Sequence, residues 1–403
     1  MKSEKLERVA LFENELRLQT EKPAGGDMRT SAYCEASRGL LQDDPDYQKI
    51  VNAVLFEREG VHPSDGVNLV LRALQKQLTK IPRSEYPEAY TYPDPWKEAL
   101  EYATQEGSSF HDEFITDIRT RNVQSNVSER YKAVALVANL MQERLGKKPS
   151  ILDVGCSRNH GLKRLTMGNK YRFSQVTAEE LVVDNLGVPI KSIPDRQATY
   201  SVQEVLEPGL RLGRSLGLDV VPIENEDNKE WARSCSFYPS ELLDREKVKA
   251  YDELDETERQ NVGFYHGDFT DLNFEDFEGH SPVTRFDVVT FSTVLYQISS
   301  EKHEAMFENA KKLLKPNGII LIQDFAEIDL EDHSKLRFFE NWFKEPYLYR
   351  TIMLDPKIQN GGLIELFRWD NGRCNKLLSG SHLGRVVPRD MLLLKYFATL
   401  TSS

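Results

Sequence analysis

An apolar run that ends in an acid and then a glycine constrains this chain more than any other stretch: Ile151-Leu152-Asp153-Val154-Gly155-Cys156-Ser157-Arg158-Asn159-His160-Gly161. The apolar residues suit a buried parallel strand. The small polar residues then turn the chain toward a short amphipathic stretch, Leu162-Lys163-Arg164-Leu165. Glycine lets the backbone approach a ligand closely, and a helix N-terminus offers free N–H groups. A strand, a glycine turn and a helix in this order hold a nucleotide-like ligand at the strand's C-terminal end.

The flanking sequence carries the same pattern onward. Asn126 and Glu129 have capping-box spacing, and Tyr131, Val134, Ala138, Met141 and Leu145 form one apolar stripe. Gly146 and Pro149 end that helix just before the strand at 150–154. A ribose-binding acid belongs at the end of the second strand. Glu179 and Glu180 have nearly the usual spacing of ~20 residues, and Asp219 comes much later. Asp219 has the better local chemistry, closing Leu216-Gly217-Leu218-Asp219, and is taken as the ribose acid, with 166–214 as an insertion. Residues 262–269 read as a third strand, 286–292 as a fourth, and 319–324 as a fifth after a Lys315-Pro316-Asn317-Gly318 turn. A helix over 300–314 separates the last two, and 349–354 and 363–369 supply two further strands. Strands alternating with helices predict a parallel sheet covered on both faces.

The loop at 153–161, the Gly267-Asp268-Phe269 triplet and the Lys315-Pro316-Asn317-Gly318 turn resemble, in that order, motifs of the class I, Rossmann-like S-adenosylmethionine (SAM) dependent methyltransferases. Ser157 and Asn159 stand where that family commonly has glycines, and Gly161 comes late. The resemblance covers roughly 126–330. It implies an α/β, doubly wound, mostly parallel seven-stranded sheet, here with an N-terminal helical extension. It also implies SAM as cofactor and methyl transfer by in-line displacement. Asp153, Gly155, Ser157 and Gly161 would hold the methionine part, and Asp219 the ribose hydroxyls. Asp268 would accept from the adenine amino group while Phe269 packs the ring. Ser292, Thr293 and Tyr296 would lie at the ligand edge, with Tyr296 toward the substrate.

A general base is needed only if the acceptor must lose a proton. His160, His266 and His303 are candidates by their proximity to motifs. Asp287 reads as a surface residue at the start of the fourth strand. Two other classes stay open: an NAD-linked oxidoreductase, which would want a fuller glycine pattern, and a non-catalytic scaffold on the same fold.

At 403 residues the chain exceeds one small core, so 1–125 is read as a helical lid region and 126–403 as the SAM-binding domain. Within the lid region, 1–27 shows no committed pattern, while helices are expected from Asp44-Pro45 and from Ser64-Asp65. Four widely spaced cysteines, no metal-ligand spacing, no apolar leader and no membrane-length run fit a cytoplasmic, metal-free protein. Residues 219–278 hold 18 Asp/Glu against 6 Lys/Arg, which equals the whole chain's net charge of −12. That acidity lacks the footprint of a phosphate-binding surface. The residues after the fourth strand, Ser292-Thr293-Val294-Leu295, also lack the Asn/Asp-Pro-Pro-Tyr/Phe pattern of nucleobase-amino methylation. Together these favour a small-molecule acceptor, with an RNA-directed enzyme as the alternative.

Overall fold

The computed structural model describes residues 2–23, 28–58, 61, 63–78, 89–123, 131–146, 148–157, 159–166, 212–222, 225–235, 261–328, 336–338, 349–354 and 363–369. The chain divides into two compact units, one of residues 1–126 with 223–250, the other of 127–222 with 251–403.

The first unit is helical: α1 (Lys2–Glu21), α2 (Met28–Asp43), α3 (Pro45–Phe56), α4 (Pro63–Leu78), α5 (Pro93–Ala103), α6 (Ser109–Thr120) and α9 (Glu226–Ser234). Helix α1 corrects the expectation that 1–27 is uncommitted. Its apolar content is thin, but Phe12 and Leu16 lie one turn apart and are fully buried. Helix α3 begins as its residues dictate, with Asp44 accepting from the Asp46 and Tyr47 amides and Pro45 in the first turn. On α4, Val67, Val70, Leu71, Leu74 and Leu78 are all buried. Trp96 anchors this core edge-on to Tyr33 and Tyr90, its indole N–H donating to the Tyr90 carbonyl.

Part of the acidic 219–278 stretch belongs to this unit. Trp231 of α9 is buried in the helical core and donates to the Asn122 carbonyl. Asp117 and Lys76, both buried, pair at 3.0 Å, and Asp227 of α9 joins Lys76 and Arg121.

The second unit is the α/β sheet. Its strands are β1 (Ile151–Val154), β2 (Ser215–Asp219), β3 (Val262–His266), β4 (Phe286–Ser292), β5 (Leu314–Ile328), β6 (Leu336–Phe338), β7 (Tyr349–Leu354) and β8 (Leu363–Trp369). The order is β3-β2-β1-β4-β5-β7-β8, with β6 pairing beside β5. The β1–β5 pairings are parallel, and β6, β7 and β8 join antiparallel. The described residues thus place eight strands in the sheet rather than the seven expected, β6 being the addition. The helices are α7 (Lys132–Leu145), α8 (His160–Thr166), α10 (Phe274–His280) and α11 (Ser300–Leu313). Gly146 ends α7 in the left-handed conformation at φ 61°.

Two expectations change at the start of β5. Lys315-Pro316-Asn317-Gly318 does not precede the strand but lies within it, as an irregularity where the register with β4 shifts between Phe286 and Val288. Asp287 does not face the surface. It is 2% exposed and accepts from the Ser150 amide and hydroxyl, both at 2.9 Å, and from Lys315 Nζ at 2.8 Å. A carboxylate buried this deeply is tolerated because these donors surround it. It staples the starts of β1, β4 and β5 together. The 167–211 part of the expected insertion, Glu179 and Glu180 included, lies outside the described residues, as do Asn126 and Glu129.

Candidate functional site

Strands β2 and β3 lie to one side of β1, and β4 and β5 to the other, so the chain switches direction between β1 and β4. In an open α/β sheet, the C-terminal ends beside that switch form the ligand crevice. The loop after β1 crosses it. Gly155 adopts φ +71°, and a Cβ there would lie 2.4 Å from Val294 Cγ2, in the loop after β4. No side chain fits at position 155, because the Val294 side chain already fills that space.

The loop has glycine-type geometry without the family's glycines. Ser157 sits at φ 52° and Asn159 at φ 59°. Each is held there by a specific bond. The Ser157 amide donates to Asp219 Oδ2 at 2.7 Å, and Asn159 Nδ2 donates to the Gly263 carbonyl at 2.8 Å. Asn159 passes over Gly217, where a Cβ would come within 2.5 Å of its Cγ. The bonds replace the conformational freedom that glycine would give.

Two acids meet at this loop. Asp219 closes β2, and its Oδ1 also accepts the Val221 amide at 2.9 Å. Burial raises its carboxyl above the ordinary range, and the Val221 and Ser157 amides pull it back. Asp153, in β1, is 1% exposed. Its Oδ2 accepts the Tyr131 hydroxyl at 2.6 Å, while Oδ1 has no hydrogen-bond partner. Burial pushes its carboxyl up to about 7, with Tyr131 opposing and Asp219 adding to the rise. Cys156, between them in the chain, is buried, and its thiol is pushed well up by that burial.

The structure therefore brings Asp153, Gly155, Ser157, Gly161 and Asp219 together. Gly161 has a local reason: a Cβ there would lie 1.8 Å from Tyr131 Cζ, so the glycine seats the Tyr131 ring. Tyr131 was legible in sequence only as part of an apolar stripe, and its hydroxyl is the feature that stripe conceals.

The remaining expected residues are placed as follows. Asp268 is exposed after β3 and accepts from the Thr270 amide and hydroxyl, both at 2.8 Å. Phe269, expected against an adenine ring, instead has its ring in the core edge-on to Phe291, at 3% exposure, and offers a ligand no open face. Ser292 ends β4 with a buried hydroxyl that has no partner. Thr293 sits at φ 61°, donates its amide to the Gln323 carbonyl at 2.8 Å, and has its hydroxyl 3.3 Å from that of Tyr349. Tyr296 is half-buried, its ring edge-on to Phe325. Its turn is held by Asp324, a buried acid overlooked in the sequence, which accepts the Leu295 and Tyr296 amides at 2.8 and 3.3 Å. Of the histidines, His266 Nε2 lies 3.0 Å from the Val220 carbonyl and His303 Nε2 lies 2.9 Å from that of Leu295. The His160 side chain lies outside the described residues.

These residues fit SAM. The unshared buried oxygen of Asp153 suits an ammonium, and each oxygen of Asp219 keeps a lone pair for a ribose hydroxyl.

Comparison with known proteins agrees. The family model described as a methyltransferase domain matches residues 123–354, more than half of the chain. The tRNA N(3)-cytidine methyltransferase METTL6 of Pongo abelii is 34% identical over 129 residues, covering 32% of this chain and 42% of its own. The tRNA N(3)-cytidine methyltransferase METTL2 of Bos taurus is 26% identical over 190 residues, covering 46% of this chain and 45% of its own. The match thus spans less than half the length of these relatives. Among solved structures, a Burkholderia thailandensis 1,6-didemethyltoxoflavin-N1-methyltransferase is 16% identical over 67% of this chain and 72% of its own, at a TM-score of 0.25, too distant to bear on function.

Proposed function

The chain belongs to the methyltransferase-domain family of SAM-dependent enzymes, and on that premise we propose that it methylates N3 of a cytidine in tRNA. The observation that carries the acceptor is the similarity to both METTL6 and METTL2, each named a tRNA N(3)-cytidine methyltransferase.

That similarity corrects the small-molecule acceptor expected from the sequence, and with it the disfavouring of nucleic acid as a partner. Two physical points explain the error. The net charge of −12 is a sum over the whole chain, accounted for by the acidic excess in 219–278 alone, and such a sum does not report the surface around one cleft. The missing Pro-Pro pattern after β4 belongs to chemistry on an exocyclic amino group. N3 of cytosine is a ring nitrogen with an in-plane lone pair, so the absence does not argue against a nucleobase.

The acceptor also fits the histidines. Cytosine N3 is unprotonated at neutral pH, so no side chain has a proton to remove. His266 and His303 each have a ring nitrogen within hydrogen-bond distance of a backbone carbonyl, and this reading asks neither to take a proton. Bound at the site, SAM supplies a methyl group already activated by its sulfonium. The chain's task is to hold and align. Asp219 takes the ribose hydroxyls, Asp153 the ammonium, and the Gly155–Ser157 backbone lies against the methionine part. Tyr296 borders the acceptor, its half-buried ring offering a face to the base. N3 lies on the Watson–Crick edge, so the cytidine must be unpaired or turned out of its stack to enter.

The test is transfer of label from tritiated SAM to unfractionated tRNA, followed by digestion and mass spectrometry of the nucleosides. The proposal expects label in 3-methylcytidine. Label in another nucleoside, or only in a small-molecule fraction, overturns it.

A further inference from the structure

Tyr131 immediately precedes α7 and touches two residues of the site from one position. Its hydroxyl donates to Asp153 Oδ2 at 2.6 Å, and its ring occupies the space that the absent side chain of Gly161 leaves. Asp153 is thereby fixed by one oxygen, while the other is buried with no hydrogen-bond partner. A buried carboxylate oxygen left unsatisfied is costly, and such groups are rare unless a ligand completes them. The groups facing Asp153 are Tyr131 from α7, Asp219 from β2 and Cys156 from the loop, with His266 acting on Asp219 from β3. None of the three that act directly on Asp153 is a cation. Among the described residues no cation acts on Asp153, and the ammonium of a ligand would supply one.

We propose that Tyr131 is a positioning residue for the amino-acid end of SAM: it ties Oδ2 of Asp153 so that Oδ1 stays presented, unshared, to the cofactor's ammonium. The inference rests on the SAM reading above and adds to it a residue outside the glycine loop. Tyr131 does not touch the reacting atoms. It acts through Asp153, and Gly161 is glycine so that the ring can close over this corner.

The test is calorimetry on the full chain with two ligands. S-adenosylhomocysteine carries the amino-acid end, and 5′-methylthioadenosine keeps the nucleoside and sulfur but lacks it. Tyr131→Phe retains the ring and its seat on Gly161 while removing the hydroxyl. It is expected to weaken S-adenosylhomocysteine about tenfold and to leave 5′-methylthioadenosine within about twofold. A pH series gives a second reading. Affinity for the ammonium-bearing ligand falls as Asp153 is protonated, and loss of the Tyr131 hydrogen bond, which favours the ionised carboxylate, moves that fall to higher pH. Asp153→Asn keeps an acceptor for Tyr131 and should lose affinity for S-adenosylhomocysteine alone, which covers the case of a poorly folding Tyr131→Phe. Equal loss for both ligands, or no loss for either, overturns the positioning role. Wild-type protein that binds both ligands equally well overturns it too, while leaving the SAM reading intact. Wild-type protein that binds neither removes the SAM reading and this inference together.

Discussion

Replacing Asp219 with alanine should cut SAM affinity by roughly 30- to 150-fold. The estimate follows from the contacts. Oδ2 takes the Ser157 amide at 2.7 Å and Oδ1 the Val221 amide at 2.9 Å, which fixes the carboxylate in the loop. Each oxygen can accept one ribose hydroxyl as well. A hydrogen bond to a charged group contributes about 1.5–3 kcal/mol, and partial replacement by water leaves about 2–3 kcal/mol for the pair. At about 1.4 kcal/mol per tenfold, that is the stated range. The loop should also loosen, because Ser157 is held at φ 52° partly by the lost bond. Asp219→Asn keeps the shape and one acceptor and should fall between alanine and wild type. Asp271→Ala removes an exposed acid just beyond β3 and should change affinity by no more than about twofold. Calorimetric titration of SAM into the three variants, with thermal melts to establish folding, gives all the values. A folded Asp219→Ala that binds SAM like wild type would refute the assignment of β2 as the ribose strand.

Other perturbations test other parts of the account. Gly155→Val should abolish SAM binding and lower Tm, because a Cβ at φ +71° would meet Val294 at 2.4 Å; normal binding in calorimetry would show that the loop is misplaced. Asp287→Ala should lower stability in urea titrations by about 3 kcal/mol by leaving the Ser150 amide and Lys315 without their buried acceptor, and a loss below about 1 kcal/mol would rule out the staple. Asp117→Ala should cost the helical unit about 3 kcal/mol, since it takes from the buried Lys76 a buried carboxylate partner at 3.0 Å; a surface-like loss would contradict that. Burial holds Asp153 and Glu15 up to about 7, from ordinary values of 3.8 and 4.5. The fold therefore binds protons that the unfolded chain has released, and stability should decline as pH rises from about 4 through about 7. Asp153→Asn should flatten part of that decline in denaturant titrations across pH, and an unchanged slope would count against the burial of its charge.

Much of the sheet was legible because β1, β2, β4 and β7 are buried along almost their whole length and read as apolar runs. Phe286–Ser292 and Tyr349–Leu354 match their expected bounds, and β2 ends at the chosen acid. Periodicity also exposed α4, whose stripe is strong. It missed α1, whose burial rests on few residues, and the placement of Glu226–Ser234 against the helical core through Trp231, a long-range contact that no local pattern announces. The site was legible where backbone geometry demands particular residues, as at Gly155 and Asp219. It was obscured where side-chain bonds do the work of glycine, as at Ser157 and Asn159. Phe269 shows the limit of motif transfer: the triplet is present, but the ring turns inward to Phe291. Tyr131 and Asp324 were hidden because an aromatic in an apolar stripe and an acid in a buried strand look alike whether structural or functional. The acceptor was misread because net charge is a global sum while recognition is local.

The most direct measurement is a crystal structure of the chain with S-adenosylhomocysteine. The account predicts the ligand in the crevice between β1 and β4, its ammonium within hydrogen-bond distance of Asp153 Oδ1, its ribose hydroxyls on Asp219, and its chain against the backbone of Gly155–Ser157. A ligand bound elsewhere, or one in this crevice whose ammonium is turned away from Asp153 with Oδ1 still unshared, would contradict it.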